Sequence, residues 1–102
     1  MDFLVCKCGL KGLQVHIPLE NMKVQDEAVS KARDMAINTK EGATVGLFTR
    51  DATAICGWKV LSGGKLRDEP ANRIQYICGV GSGSFDFAKK QADALRKARK
   101  NK

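Results

Sequence analysis

Between residues 13 and 19 the chain alternates strictly: Leu13, Val15, Ile17 and Leu19 take every second place, with Gln14, His16 and Pro18 between them. A period of two belongs to a strand with one buried and one wet face. Pro18 has no N–H to give a ladder, so this strand, or at least its end, is expected at a sheet edge. Residues 3–8 read as its hairpin partner, with Gly9-Leu10-Lys11-Gly12 as the turn.

Residues 24–40 carry a different period. Val24, Ala28, Ala32, Met35 and Ala36 fall on one side at 100° per residue, while Lys31 and Asp34 fall elsewhere. Asp26 and Glu27 suit the positive end of such a helix, Lys40 the negative end, and Gly42 is a terminator. Three further strands are predicted over 43–50, 53–61 and 73–80, the first two joined tightly by Arg50-Asp51-Ala52. In the third, Ile74, Tyr76, Cys78 and Val80 alternate with Arg73, Gln75 and Ile77. Ser62-Gly63-Gly64 and the polar run 65–72 read as a mobile loop, and a last helix begins near Phe85. The order β-β-α-β-β-β-α predicts an α+β two-layer sandwich: an antiparallel sheet of about five strands with two helices on one face. At 102 residues there is room for one domain, 1–102, with one modest core. The echo of Ile55-Cys56-Gly57-Trp58 in Ile77-Cys78-Gly79-Val80 is too short to imply a repeat.

No stretch approaches the ~18 apolar residues of a membrane span, so no membrane partner is expected. Met1-Asp2-Phe3-Leu4-Val5 has an acid where an export signal carries bases, which leads to an expectation of the cytoplasm, its own or a host's. In that setting Cys6, Cys8, Cys56 and Cys78 are expected reduced and metal-free. Cys6-Lys7-Cys8 is too tight for the usual C-x₂₋₄-C ligand pair, and His16 is the sole imidazole. No cofactor is expected. With one histidine and no clustered carboxylates there is no general-base constellation, so the chain reads as a binding protein rather than an enzyme. Trp58, beside Lys59, is expected in the core rather than on a base-stacking surface.

Positive charge is concentrated at the end. From Ser84 to Lys102 seven basic residues face two acidic ones, supplying +5 of the chain's +7. On a helical wheel Phe87, Ala88, Ala92, Ala94, Leu95 and Ala98 share one arc, and Lys89, Lys90, Arg96, Lys97 and Lys100 the other. Such a basic face suits a polyanion, because each neutralised phosphate releases counterions. Gly79-Val80-Gly81-Ser82-Gly83 precedes it, and Gly81, Gly83 and Ser84 (a suitable N-cap) are candidates to present backbone N–H groups to a phosphate. The helix-strand-strand-strand-helix order from Val24, with this entry, resembles that of double-stranded-RNA-binding domains. Their last helix opens on Gly-x-Gly-x-Ser-Lys-Lys-x-Ala-Lys. Ser84, Ala88 and Lys89 fall on its Ser, Ala and following Lys, while Phe85 and Asp86 stand where the paired lysines would be. The resemblance implies phosphate contact by the last helix. The function expected is therefore binding of RNA or DNA backbone. The alternative is a protein-binding inhibitor or adaptor of the phage or mobile-element type, such as an anti-CRISPR protein, meeting a protein target at the Pro18 edge or the 65–72 loop.

Overall fold

The computed structural model describes residues 1–9 and 13–100, the side chain of Lys100 excepted. Leu10, Lys11 and Gly12 of the expected hairpin turn lie outside the described residues. The elements are β1 (Phe3–Cys8), β2 (Gln14–Leu19), α1 (Gln25–Ile37), β3 (Thr44–Thr49), β4 (Ala54–Val60), β5 (Leu66–Glu69), α2 (Ala71–Cys78) and α3 (Ser84–Lys100). Five strands form one antiparallel sheet in the order β2-β1-β3-β4-β5, an α+β arrangement in the order the sequence predicts, with a third helix, α2, before the last. No described helix is long and apolar enough to cross a membrane.

The central strands are apolar at successive positions, so both faces of the sheet need a cover. Phe3 and Val5 of β1, Val45 and Leu47 of β3, and Trp58 and Val60 of β4 line one face, where Ala28, Ala32 and Ala36 of α1 pack on them. Leu4, Cys6 and Phe48 line the other, beneath Ile74 and Cys78 of α2 and Phe85 and Ala88 of α3. The helices thus divide between the faces instead of gathering on one. Trp58 is buried in the first cluster, as expected. α1 stops at Ile37, short of Lys40, because Asn38 Nδ2 and Thr39 Oγ1 donate to the carbonyls of Asp34 and Met35 and occupy acceptors at its end.

On the second face two glycines make room for a helix. Gly46 of β3 and Gly57 of β4 are direct cross-strand partners, and Ile74 sits over both. A Cβ on Gly46 would stand 2.6 Å from Ile74 Cγ2, and one on Gly57 2.5 Å from Ile74 Cγ1. No real Cβ makes such contacts, so these glycines set how closely α2 approaches the sheet.

Two expectations fail between residues 65 and 80. The predicted strand 73–80 is α2: Ile74, Ile77 and Cys78 sit at helical spacing, whereas Tyr76 is 89% exposed. Pro70 precedes its first turn, and Gly79 ends it in the left-handed region at φ 55°. Ile74, Tyr76, Cys78 and Val80 fit a period of two equally well on paper, which is why the alternation misled. The segment expected as a mobile loop holds β5, paired to β4 from Val60↔Leu66 to Gly57↔Glu69. Its single apolar residue, Leu66, packs on the first cluster, and its charged residues suit an edge strand.

Glu69 locks this edge. Its carboxylate is buried, receiving Arg67 Nη2 at 2.9 Å and Arg73 Nε at 3.2 Å, so β5 and α2 are clamped together. Glu69→Ala is expected to cost about 2 kcal/mol, the loss of charge-assisted hydrogen bonds at a buried acceptor. Urea denaturation should show a lower midpoint at unchanged slope; an unaltered midpoint would mean the two ion pairs contribute nothing.

Candidate functional site

α3 spans 17 residues, about 25 Å at 1.5 Å per residue. Only its first half docks. Phe85 and Ala88 are buried against the sheet, and Arg50 stacks over the Phe85 ring at 4.8 Å while bridging Asp2 and Asp86 at 3.1 Å each. From Asp93 to Arg99 every residue is exposed, and the molecule is elongated to 40 × 26 × 24 Å. The helix leaves the body of the protein.

The expected cations are spread along this element. Lys89 Nζ lies 3.8 Å from Glu20 Oε1 at the sheet, and Arg96 Nη2 pairs with Asp93 Oδ1 at 3.1 Å. Lys90, Lys97 and Arg99 make no ion pair among the described residues. Lys90 and Lys97, seven residues apart, share a face. Lys100 closes the helix, and its side chain lies outside the described residues.

The apolar arc of the helix is only partly buried. Ala88 is buried and Ala92 half-buried, but Phe87 and Leu95 are 62% and 63% exposed, with Ala94 and Ala98 exposed beside them. The alternation in β2 behaves likewise. Leu19 is buried and Ile17 half-buried, yet Leu13 and Val15 stand in solvent. α1 lies over β3 and β4, so the outer edge of the sheet receives no helix on that side.

The glycine-rich entry is committed to holding α3. Gly81 N–H donates to Ser84 Oγ at 3.1 Å, and Ser84 N–H returns a bond to Gly81 O at 3.0 Å. Gly83 O accepts from Phe87 N–H at 3.1 Å, so Gly83 takes the capping place and Ser84 is the first helical residue. Gly81 therefore has no free N–H for a phosphate, and Asp86 adds negative charge to the first turn.

A second constellation appears on the same side of the sheet. Cys6 and Cys8 point from one face of β1, and Cys78 arrives from the last turn of α2. Cys8 Sγ lies 3.1 Å from Cys78 Sγ and 3.5 Å from Cys6 Sγ, and all three sulfurs fall within 4.8 Å of one another. Hydrogen bonding to Cys6 and Cys78 draws the Cys8 thiol well down, with electrostatic help from His16, and outweighs desolvation. Cys6 is pushed up, by hydrogen bonds to Cys78 and Cys8 and by burial. Cys56 stands apart, packed on the α1 side, where burial raises its thiol.

His16 is the direct cross-strand partner of Cys6, which puts the two side chains on one face. Its Nε2 is buried with no hydrogen-bond partner among the described residues. Gln14 Nε2 donates to Cys78 O at 3.0 Å, tying the end of α2 to β2. Gln14 and His16 open into a cleft of about 590 Å³ whose other wall is Gly83 with Ser84, Phe87 and Gln91 of α3. Spacing along the chain concealed this grouping, since Cys78 is 70 residues from Cys8. The one legible sign was Cys6 and Cys8 at strand spacing. No protein family, curated protein or solved structure matches the chain.

Proposed function

We propose that the protein is a non-enzymatic nucleic-acid-binding domain that grips the sugar–phosphate backbone with α3. The observation that carries this reading is the projection of Asp93–Arg99 beyond the sheet, with Arg96, Lys97 and Arg99 around it. A free helix, 10–12 Å across with its side chains, enters a major groove or lies along a strand without collision from the rest of the fold. Lys89 and Lys90 extend the basic surface toward the body, and Lys100 extends it in sequence. Contacts to phosphate position a protein without reading sequence, so little base preference is expected.

The test replaces Lys89, Lys90, Arg96, Lys97 and Lys100 with Gln, which keeps good helix propensity and leaves Phe85 and Ala88 in place. Fluorescence anisotropy with a short RNA and a short DNA duplex should show binding by the wild type and none by the variant. With four or five phosphate contacts, wild-type affinity should fall with a log–log salt slope of about −3 to −4.5. No binding to either probe at low salt would refute the reading.

A second reading, a protein-binding inhibitor or adaptor, is favoured by the exposed Phe87 and Leu95 beside the open β2 edge, which a purely backbone-binding helix does not need. Phe87→Ser with Leu95→Ser separates the two readings. It should leave nucleic-acid binding unchanged under the first and abolish partner binding under the second.

A further inference from the structure

We propose that Cys6, Cys8 and Cys78, with His16 as fourth ligand, form a zinc-binding site between β1, β2 and α2. Zinc takes thiolate at about 2.3 Å in tetrahedral geometry, which places bound sulfurs about 3.8 Å apart. The sulfur separations here, from 3.1 Å to no more than 4.8 Å, bracket that value, so small side-chain rotations suffice to seat an ion.

Mutual hydrogen bonding of three thiols accounts for their closeness but leaves His16 without a role. A buried imidazole nitrogen with no partner costs free energy, and this one is held on the cluster's face opposite Cys6. A metal ion shared with the sulfurs would relieve it. The donor set also selects the ion. No carboxylate joins the three sulfurs, which disfavours magnesium and calcium, and a turn of the His16 ring toward them from the same face completes a familiar structural zinc set. Outside the ligands, Gln14 donates to the Cys78 carbonyl and holds that ligand's backbone in place.

The site is independent of the nucleic-acid reading, though it lies next to it. Cys78 is followed directly by the segment 79–83 that sets α3. An ion there would fix the root of the projecting helix to the sheet.

The experiment uses the full chain, purified under reductant and stripped of metal. Zinc is titrated against a chromophoric chelator, and cobalt is added separately as a spectroscopic substitute. One zinc per chain is expected, with the absorption of tetrahedral thiolate-bound cobalt. Cys78→Ser and His16→Ala should each weaken zinc by about 100-fold or more, beyond the 10–100-fold typical of supporting residues. Cys56→Ser should bind as the wild type does. If Cys78→Ser fails to fold, alkylation of the wild type decides: zinc should slow modification of Cys8, the half-buried member, and leave Cys56 unaffected. Failure of the reduced wild type to take up one zinc would overturn the site. So would a folded Cys78→Ser or His16→Ala variant that binds as tightly as wild type, or equal slowing at Cys56.

Discussion

Gly57→Val is expected to lose at least about 3 kcal/mol, the upper part of the usual range for overpacking a core. A Cβ at this position would stand 2.5 Å from Ile74 Cγ1 and 2.8 Å from the Val45 carbonyl oxygen. The side chain can yield by changing rotamer, but the backbone oxygen belongs to the adjacent strand and has nowhere to go. Full relief of the Ile74 contact requires lifting α2 off the sheet, which also pulls Cys78 from Cys8 and Gln14, and relief of the Val45 contact requires parting β3 from β4. For a domain whose whole margin is about 5–15 kcal/mol, this is a large share. Urea denaturation measures it, and a double-mutant cycle identifies the cause. Gly57→Ala should cost clearly less in an Ile74→Ala background than in the wild type. Equal cost in both backgrounds would show that Ile74 is not what the glycine accommodates.

Phe85→Ala should be comparably severe, about 3–5 kcal/mol, because it removes the largest buried side chain that α3 supplies. The loss should also be uneven. Among the described residues Ala88 is the only other member of α3 in the second cluster, and Arg50 would lose the ring it stacks upon. Hydrogen exchange should therefore show α3 amides deprotected first, with β1, β3 and β4 retaining slow exchange under the same conditions. A stability within about 1 kcal/mol of wild type would mean that α3 is held chiefly by its Arg50 and Lys89 ion pairs, contrary to the small worth of exposed pairs.

What could be read beforehand depended on how far a residue's role is written in its neighbours. Ala28, Ala32 and Ala36 announced α1 and its buried stripe, and the apolar runs in 3–8 and 43–50 announced strands, though not that they are central. α2 was not legible from apolar spacing, because eight residues with Ile74, Ile77 and Cys78 satisfy a helix while Ile74, Tyr76 and Cys78 satisfy a strand. Pro70 and Gly79, one at each end, were the signals that decide between them. β5 was hidden by its charges, since Arg67 and Glu69 are explained only once Arg73 is folded against them. The cationic helix was plain in the sequence, but the point at which it leaves the body was not, because that depends on the length of β2 beneath it. His16 looked like a wet-face residue between apolar neighbours; only the placing of α3 over that face closes it in.

The two-sided cover of the sheet also has a consequence in time. α1 is made before β3 and β4, so the first face is protected as soon as those strands pair. Leu4, Cys6 and Phe48, on the other face, wait for Ile74 and Phe85, which lie after the last central strand. At about 5–20 residues per second of synthesis, the stretch from Val60 to Ala88 takes on the order of seconds to appear. Through that interval a nascent chain carries a half-dressed sheet, its second side bare and its Gly46–Gly57 trough unfilled. The chain's vulnerable moment thus falls after its central strands are made, and the segment that ends it is the one that bears the cations.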